Sequence, residues 1–125
     1  MAEYRVLLVD DEEEFVSALS ERLMLRGIET ECALNGEEAL ARLVEKEFEV
    51  VIPDVMMPGL GGLEVLRQIK TTHPNTQVIL LTGHGSTREG IEGMRLGAFD
   101  YLIKPVDIEE MLAKMKEAAK TGHTG

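Results

Sequence analysis

The stretch Val50-Val51-Ile52-Pro53-Asp54-Val55-Met56-Met57-Pro58-Gly59-Leu60-Gly61-Gly62 decides how this chain folds. Its β-branched opening reads as a strand buried on both faces, as parallel strands under helices are. Met57-Pro58-Gly59 cannot continue a strand, so Asp54 falls at or just past the strand's carboxyl end. That end is the edge at which open α/β sheets bind ligands. A lone aspartate there is ordinarily a turn or helix cap. Its meaning depends on what the rest of the chain brings to the same edge.

Upstream, Arg5-Val6-Leu7-Leu8-Val9 is a short apolar run ending at Asp10-Asp11, with Glu12-Glu13-Glu14 opening a helix. The helix macrodipole favours acids in a first turn, so these glutamates need no functional explanation. Asp10 and Asp11 come earlier, where paired carboxylates are costlier to keep ionised. Phe15, Ala18, Leu19 and Leu23 repeat at helical spacing, and Gly27 suits the position past the helix end. Residues 28–34 read as a second strand, and Asn35-Gly36-Glu37-Glu38 starts a helix through Ala39, Leu40, Leu43 and Val44.

The third strand covers residues 48–52 and a third helix residues 62–70, with Leu63, Leu66 and Ile69 inward. Residues 77–81 form a fourth strand that runs into Thr82-Gly83-His84-Gly85-Ser86. The helix expected over residues 87–96 carries Gly90 and Gly93. Each interior glycine costs about 1 kcal/mol relative to alanine, which makes this the least rigid helix expected. Residues 97–103 supply a turn and a fifth strand that ends at Lys104-Pro105. From Asp107, an N-cap, the last helix places Ile108, Met111, Leu112 and Met115 at core spacing. The domain is read as residues 1–120, followed by a fraying tail over 121–125.

The 125 residues, 44% hydrophobic and 29% charged, suit one soluble globular domain. No apolar run approaches a membrane span, and Met1-Ala2-Glu3-Tyr4-Arg5 lacks a signal peptide's layout. Cys32 has no partner for an internal disulfide, so a reducing cytoplasm is expected, with Cys32 as a small core filler. A net charge of −10 argues against direct nucleic-acid binding, which needs clustered Lys and Arg.

Strand and helix patterns alternate strictly, which implies an α/β fold with a doubly wound parallel sheet and right-handed crossovers. Asp10 and Asp11 then end the first strand, Asp54 the third, Thr82 the fourth and Lys104 the fifth. All of them belong at one edge. Converging carboxylates repel each other unless a cation sits among them. Hard oxygen ligands suit Mg2+, which pairs one or two carboxylates with a phosphate. Lys104 can neutralise one phosphoryl oxygen, and the Thr82 hydroxyl can donate to another. Carboxylate nucleophile, metal, ammonium and hydroxyl together match phosphoryl transfer to an aspartate. The plainer alternatives are a salt bridge from Lys104 to the acids and Thr82 as a helix cap.

Leu7-Leu8-Val9-Asp10-Asp11-Glu12, Pro53-Asp54-Val55-Met56-Met57-Pro58-Gly59, Leu81-Thr82-Gly83 and Tyr101-Leu102-Ile103-Lys104-Pro105 resemble the receiver domain of two-component response regulators. The resemblance covers nearly the whole chain. It implies a flavodoxin-like five-stranded parallel sheet in the order 2-1-3-4-5, with five helices. It implies that Asp54 is the phosphoacceptor, loaded by a sensor histidine kinase or phosphotransfer protein in a Mg2+-dependent step. The chain would then be a phosphoacceptor that assists its own phosphorylation and slow dephosphorylation rather than an enzyme. Asp11 is implied as a direct Mg2+ ligand, Asp10 as one acting mainly through water, and Met56 as a backbone-carbonyl ligand beside Asp54. Lys104 resembles the phosphoryl-binding lysine, and Thr82 and Tyr101 the coupled switch pair. A downstream protein would dock on the face of the fourth helix, fifth strand and last helix, with room for a phosphorylation-dependent homodimer. The Lys104–Pro105 bond is expected to be cis. Residues 82–86 resemble receivers attached to nitrogen-regulation-type transcription activators.

The pattern has departures. Pro53 removes a backbone donor from a central strand, which puts local pairing in doubt. Gly61 stands where a polar residue is common, so a looser loop is expected. His84 lies where the family tunes dephosphorylation, although an exposed loop histidine needs no role. A haloacid-dehalogenase-like phosphatase would need an aspartate at Met56, and a flavodoxin-type FMN binder would need a Ser/Thr/Gly-rich loop in place of Asp10-Asp11-Glu12-Glu13-Glu14.

Overall fold

Short Val/Leu/Ile runs, each followed by a turn and an amphipathic segment, become strands and helices in strict alternation. The computed structural model describes residues 4–83 and 87–123. The elements are β1 (Arg5–Val9), α1 (Glu13–Met24), β2 (Glu29–Ala33), α2 (Gly36–Glu45) and β3 (Val50–Pro53). They continue with α3 (Gly62–Thr72), β4 (Gln77–Thr82), α4 (Thr87–Arg95), β5 (Asp100–Ile103) and α5 (Ile108–His123). The strands are parallel in the order β2-β1-β3-β4-β5, as the resemblance implies.

Successive side chains of a strand point to opposite faces, and the sheet is covered on both. Val6, Leu8, Ile52, Ile79 and Leu81 pack with Val16, Leu19, Leu23, Met111 and Met115 of α1 and α5. Leu7, Val9, Val51, Val78 and Leu80 pack with Ala39, Leu43, Val65, Leu66 and Ile69 of α2 and α3. Two apolar layers therefore hold the strand ends in place. The pairing Val9↔Pro53 puts the next residues, Asp10 and Asp54, side by side.

Local chemistry sets the helix ends. Asn35 accepts a hydrogen bond from the Glu38 N–H at 2.7 Å and so caps α2. Asp107 accepts from the Glu109 N–H at 2.9 Å and so caps α5, as expected. Gly61, at the start of α3, supplies no side-chain cap. The α5 helix continues to His123, into the 121–125 stretch expected to be a tail. Ala118, Ala119 and Lys120 favour helix, and the Thr121 hydroxyl donates to the Glu117 carbonyl at 3.0 Å.

The effect of Pro53 is one-sided. The Asp54 N–H donates to the Val9 carbonyl at 2.8 Å, and the Val55 N–H to the Leu81 carbonyl at 2.9 Å. Backbone groups of alternate residues turn to opposite neighbours, so the donor that Pro53 lacks belongs to the β4 side. The β1–β3 ladder accordingly runs on to Pro53. The β3–β4 ladder stops at Val51↔Val78 and returns only as the isolated bridge Asp54↔Leu81.

The glycines of α4 gain a structural reason. A Cβ at Gly93 would lie 2.0 Å from Leu80 Cδ1, and one at Gly90 2.7 Å from Tyr101 Cδ2. Their absence lets α4 lie flush on β4 and β5. Among the described residues, no helix is long and apolar enough to cross a membrane.

Candidate functional site

At the carboxyl edge of the sheet, β1, β3 and β5 each deliver one charged residue to a common point. The Lys104 N–H donates to the Thr82 carbonyl at 2.8 Å, which fixes the exit from β5. The Lys104–Pro105 bond is cis, as expected. The Lys104 ammonium donates to Asp10 Oδ2 at 2.8 Å, Glu12 Oε1 at 3.1 Å and Asp54 Oδ2 at 3.2 Å. It also sits 4.7 Å from the centre of the Phe15 ring, within cation–π range. Asp10 Oδ1 accepts from the Glu12 N–H at 2.9 Å, which ties the first turn of α1 to the same corner. Asp54 Oδ1 accepts from the Met56 N–H at 3.3 Å. Gly62 lies against this aspartate so closely that a Cβ would come within 2.5 Å of the Asp54 carbonyl oxygen.

Burial differs sharply across the cluster. The Asp10 side chain is 0% exposed, Asp54 8%, Lys104 21% and Glu12 65%. Burial raises the Asp54 carboxyl above the usual carboxylate range and the charge of Asp10 adds to this, partly offset by Lys104 and the Met56 N–H. Burial alone would lower Lys104, but its hydrogen bonds to Asp10 and Glu12 and the charges of Asp54 and Asp10 outweigh it. The ammonium is thus held above lysine's ordinary value.

The structure brings Asp10, Asp54 and Lys104 together and leaves Asp11 exposed outside the cluster. Oxygens of Asp10, Glu12 and Asp54 lie within 4.8 Å of one another, with Glu12 the exposed member of the three. Sequence reasoning passed over Glu12 because a first-turn acid already has an explanation in the helix dipole. The available signal was its spacing, two residues beyond Asp10 at a strand end. Thr82 is fully buried, but its hydroxyl donates to the Leu102 carbonyl at 3.4 Å rather than to the acids. The Tyr101 ring lies against Gly90 of α4. Met56 is 68% exposed at the lip. His84 falls outside the described residues.

The buried carboxylates of Asp10 and Asp54, close enough to share one ion, are the hard donors that Mg2+ takes, so the residues fit a divalent cation. The arrangement combines a buried carboxylate of raised proton affinity with an ammonium already aimed at it. Such a pair can bind an anionic group and form a bond to it.

Residues 6–116 match the family model described as the response regulator receiver domain. The chain is 40% identical over 124 residues to the uncharacterized transcriptional regulatory protein YkoG of Bacillus subtilis, covering 99% of this chain and 54% of that protein. It is 39% identical over 107 residues to the regulatory protein AtoC of Escherichia coli, covering 86% of this chain and 23% of that one. It therefore spans only 23% to 54% of the length of these relatives. The response regulator receiver domain protein of Clostridium thermocellum superposes with a TM-score of 0.90 at 35% identity, over 94% of this chain and 95% of that one. The receiver domain of NtrX from Brucella abortus does so with a TM-score of 0.88 at 30% identity, over 93% and 98%.

Proposed function

This chain belongs to the response regulator receiver domain family, and on that premise we propose that Asp54 accepts a phosphoryl group from a histidine kinase or phosphotransfer protein. The observation that carries this is the Lys104 ammonium, 3.2 Å from a buried Asp54 whose other neighbour is the buried Asp10. An Asp54 carboxylate oxygen forms the new bond to phosphorus while the donor's bond breaks. Lys104 neutralises a phosphoryl oxygen, and Asp10 keeps the lysine in place. The carboxylates of Asp10, Asp11 and Asp54 and the Met56 carbonyl are the proposed Mg2+ ligands. When bound, the metal supplies charge neutralisation to the transferring group.

Phosphorylation adds roughly −1.5 to −2 charge at Asp54. The Thr82 hydroxyl, held by a long bond to Leu102, is the donor that turns to the new oxygens. Tyr101, packed between β5 and α4, follows it. Ile91, Met94 and Ile103 are exposed on the α4, β5 and α5 side and form the surface that a downstream protein or a second copy reads. The names of the longer relatives support an output on transcription, exerted through another domain or partner rather than by this acidic domain on nucleic acid. Incubation with acetyl phosphate and Mg2+ should add one base-labile phosphoryl group, seen by intact-protein mass spectrometry. Equal labelling of Asp54→Ala would overturn the assignment.

A further inference from the structure

We infer that Glu12 is a positioning residue that holds the Lys104 ammonium away from full engagement with Asp54 until a phosphoryl group arrives. The inference rests on Asp54 being the phosphoacceptor. An ammonium has three donors, and those of Lys104 are all used, on Asp10 at 2.8 Å, Glu12 at 3.1 Å and Asp54 at 3.2 Å. A phosphoryl group on Asp54 presents new oxygens to the same ammonium. The bond to Asp54 passes to one of these oxygens, and engaging a second requires that the bond to Asp10 or to Glu12 be exchanged.

The partners differ in what they lose. Asp10 is completely buried, so no water can take the place of the lysine beside it. Glu12 is 65% exposed, so water replaces the lysine at little cost. Glu12 is the partner that yields. Until it does, it competes for Lys104, and its oxygen lies within 4.8 Å of those of Asp10 and Asp54, where it repels an anionic phosphodonor. Both effects slow the step in which Asp54 forms its bond to phosphorus and the donor's leaving group departs with the old bonding pair.

The test is the rate of Asp54 phosphorylation by acetyl phosphate, which releases acetate, at saturating Mg2+ and two ionic strengths. Wild type is compared with Glu12→Gln, Glu12→Asp and, for general charge, the neighbouring Glu13→Gln. An exposed ion pair of this kind corresponds to an acceleration of about 1.5- to 5-fold in Glu12→Gln, shrinking at high salt. Glu12→Asp keeps the charge but shortens the reach, so its rate should fall between the two. Glu13→Gln should match wild type. A Glu12→Gln rate equal to or below wild type overturns the inference, as does equal acceleration by Glu13→Gln. Wild type that takes no label would remove the phosphoacceptor reading itself, and the inference with it.

Discussion

Asp54 is an expensive carboxylate to keep ionised in the folded chain, because burial and Asp10 both oppose its charge. A carboxyl whose folded pKa exceeds its unfolded value contributes stability at pH below the unfolded value and loses it as pH rises through the folded one. Ionised Asp54 therefore weakens the metal-free fold near neutrality. Asp54→Asn should melt above wild type at pH 7 in chelator, and the gap should close below about pH 4, where the unfolded carboxyl is also protonated. Equal melting temperatures at pH 7 would contradict this account of the site. Asp10, Asp54 and Lys104 were legible because each follows the last apolar residue of a strand, and parallel strands end together. Glu12 was not, since an acid at the start of a helix is explained by the helix dipole without a site. The direction of the Thr82 hydroxyl was not legible either, because the Leu102 carbonyl that accepts from it belongs to another strand.

Among the elements, α4 sets helix propensity most directly against packing. Helix propensity alone says that alanine at Gly90 or Gly93 would stabilise by about 1 kcal/mol. Packing says the opposite. At Gly93 the new methyl meets Leu80 Cδ1 at 2.0 Å, and Leu80 is completely buried. At Gly90 it meets the Tyr101 ring at 2.7 Å. Overpacking of a core commonly costs 1–3 kcal/mol, roughly, which exceeds the propensity gain at the tighter position. Gly93→Ala should lower the urea midpoint, with a net loss of about 1 kcal/mol. Gly90→Ala should shift the near-ultraviolet tyrosine signal as the Tyr101 ring is displaced. Higher stability for both variants with an unchanged tyrosine signal would show that the glycines are a propensity defect after all. The clash was illegible from sequence because it depends on how closely α4 approaches β4 and β5. Pro53 was half legible: the missing donor could be read, but not that it falls on the β4 side while the β1 ladder stays whole.

For the molecule as a whole, strict strand–helix alternation made the parallel doubly wound sheet readable, and the family resemblance supplied the order β2-β1-β3-β4-β5 that is observed. That order lays β1 against β3 and puts β4 and β5 beyond: Asp54 bridges to Leu81 of β4, Leu81 pairs with Leu102 of β5, and the Tyr101 ring lies against Gly90 of α4. The proposed partner surface rests on the resemblance, because no single exposed residue of Ile91, Met94 or Ile103 announces it. In the proposed switch, a change of charge at Asp54 is read out at that distant face. A ligand can shift such an equilibrium only by its differential affinity for the two states, so the response is a population shift. Hydrogen exchange measured with and without beryllofluoride and Mg2+ tests it most directly. Protection should change at the end of β4, through α4 and along β5 to Lys104, and the change should be absent in Asp54→Ala. Altered protection confined to the residues around Asp54 would contradict it.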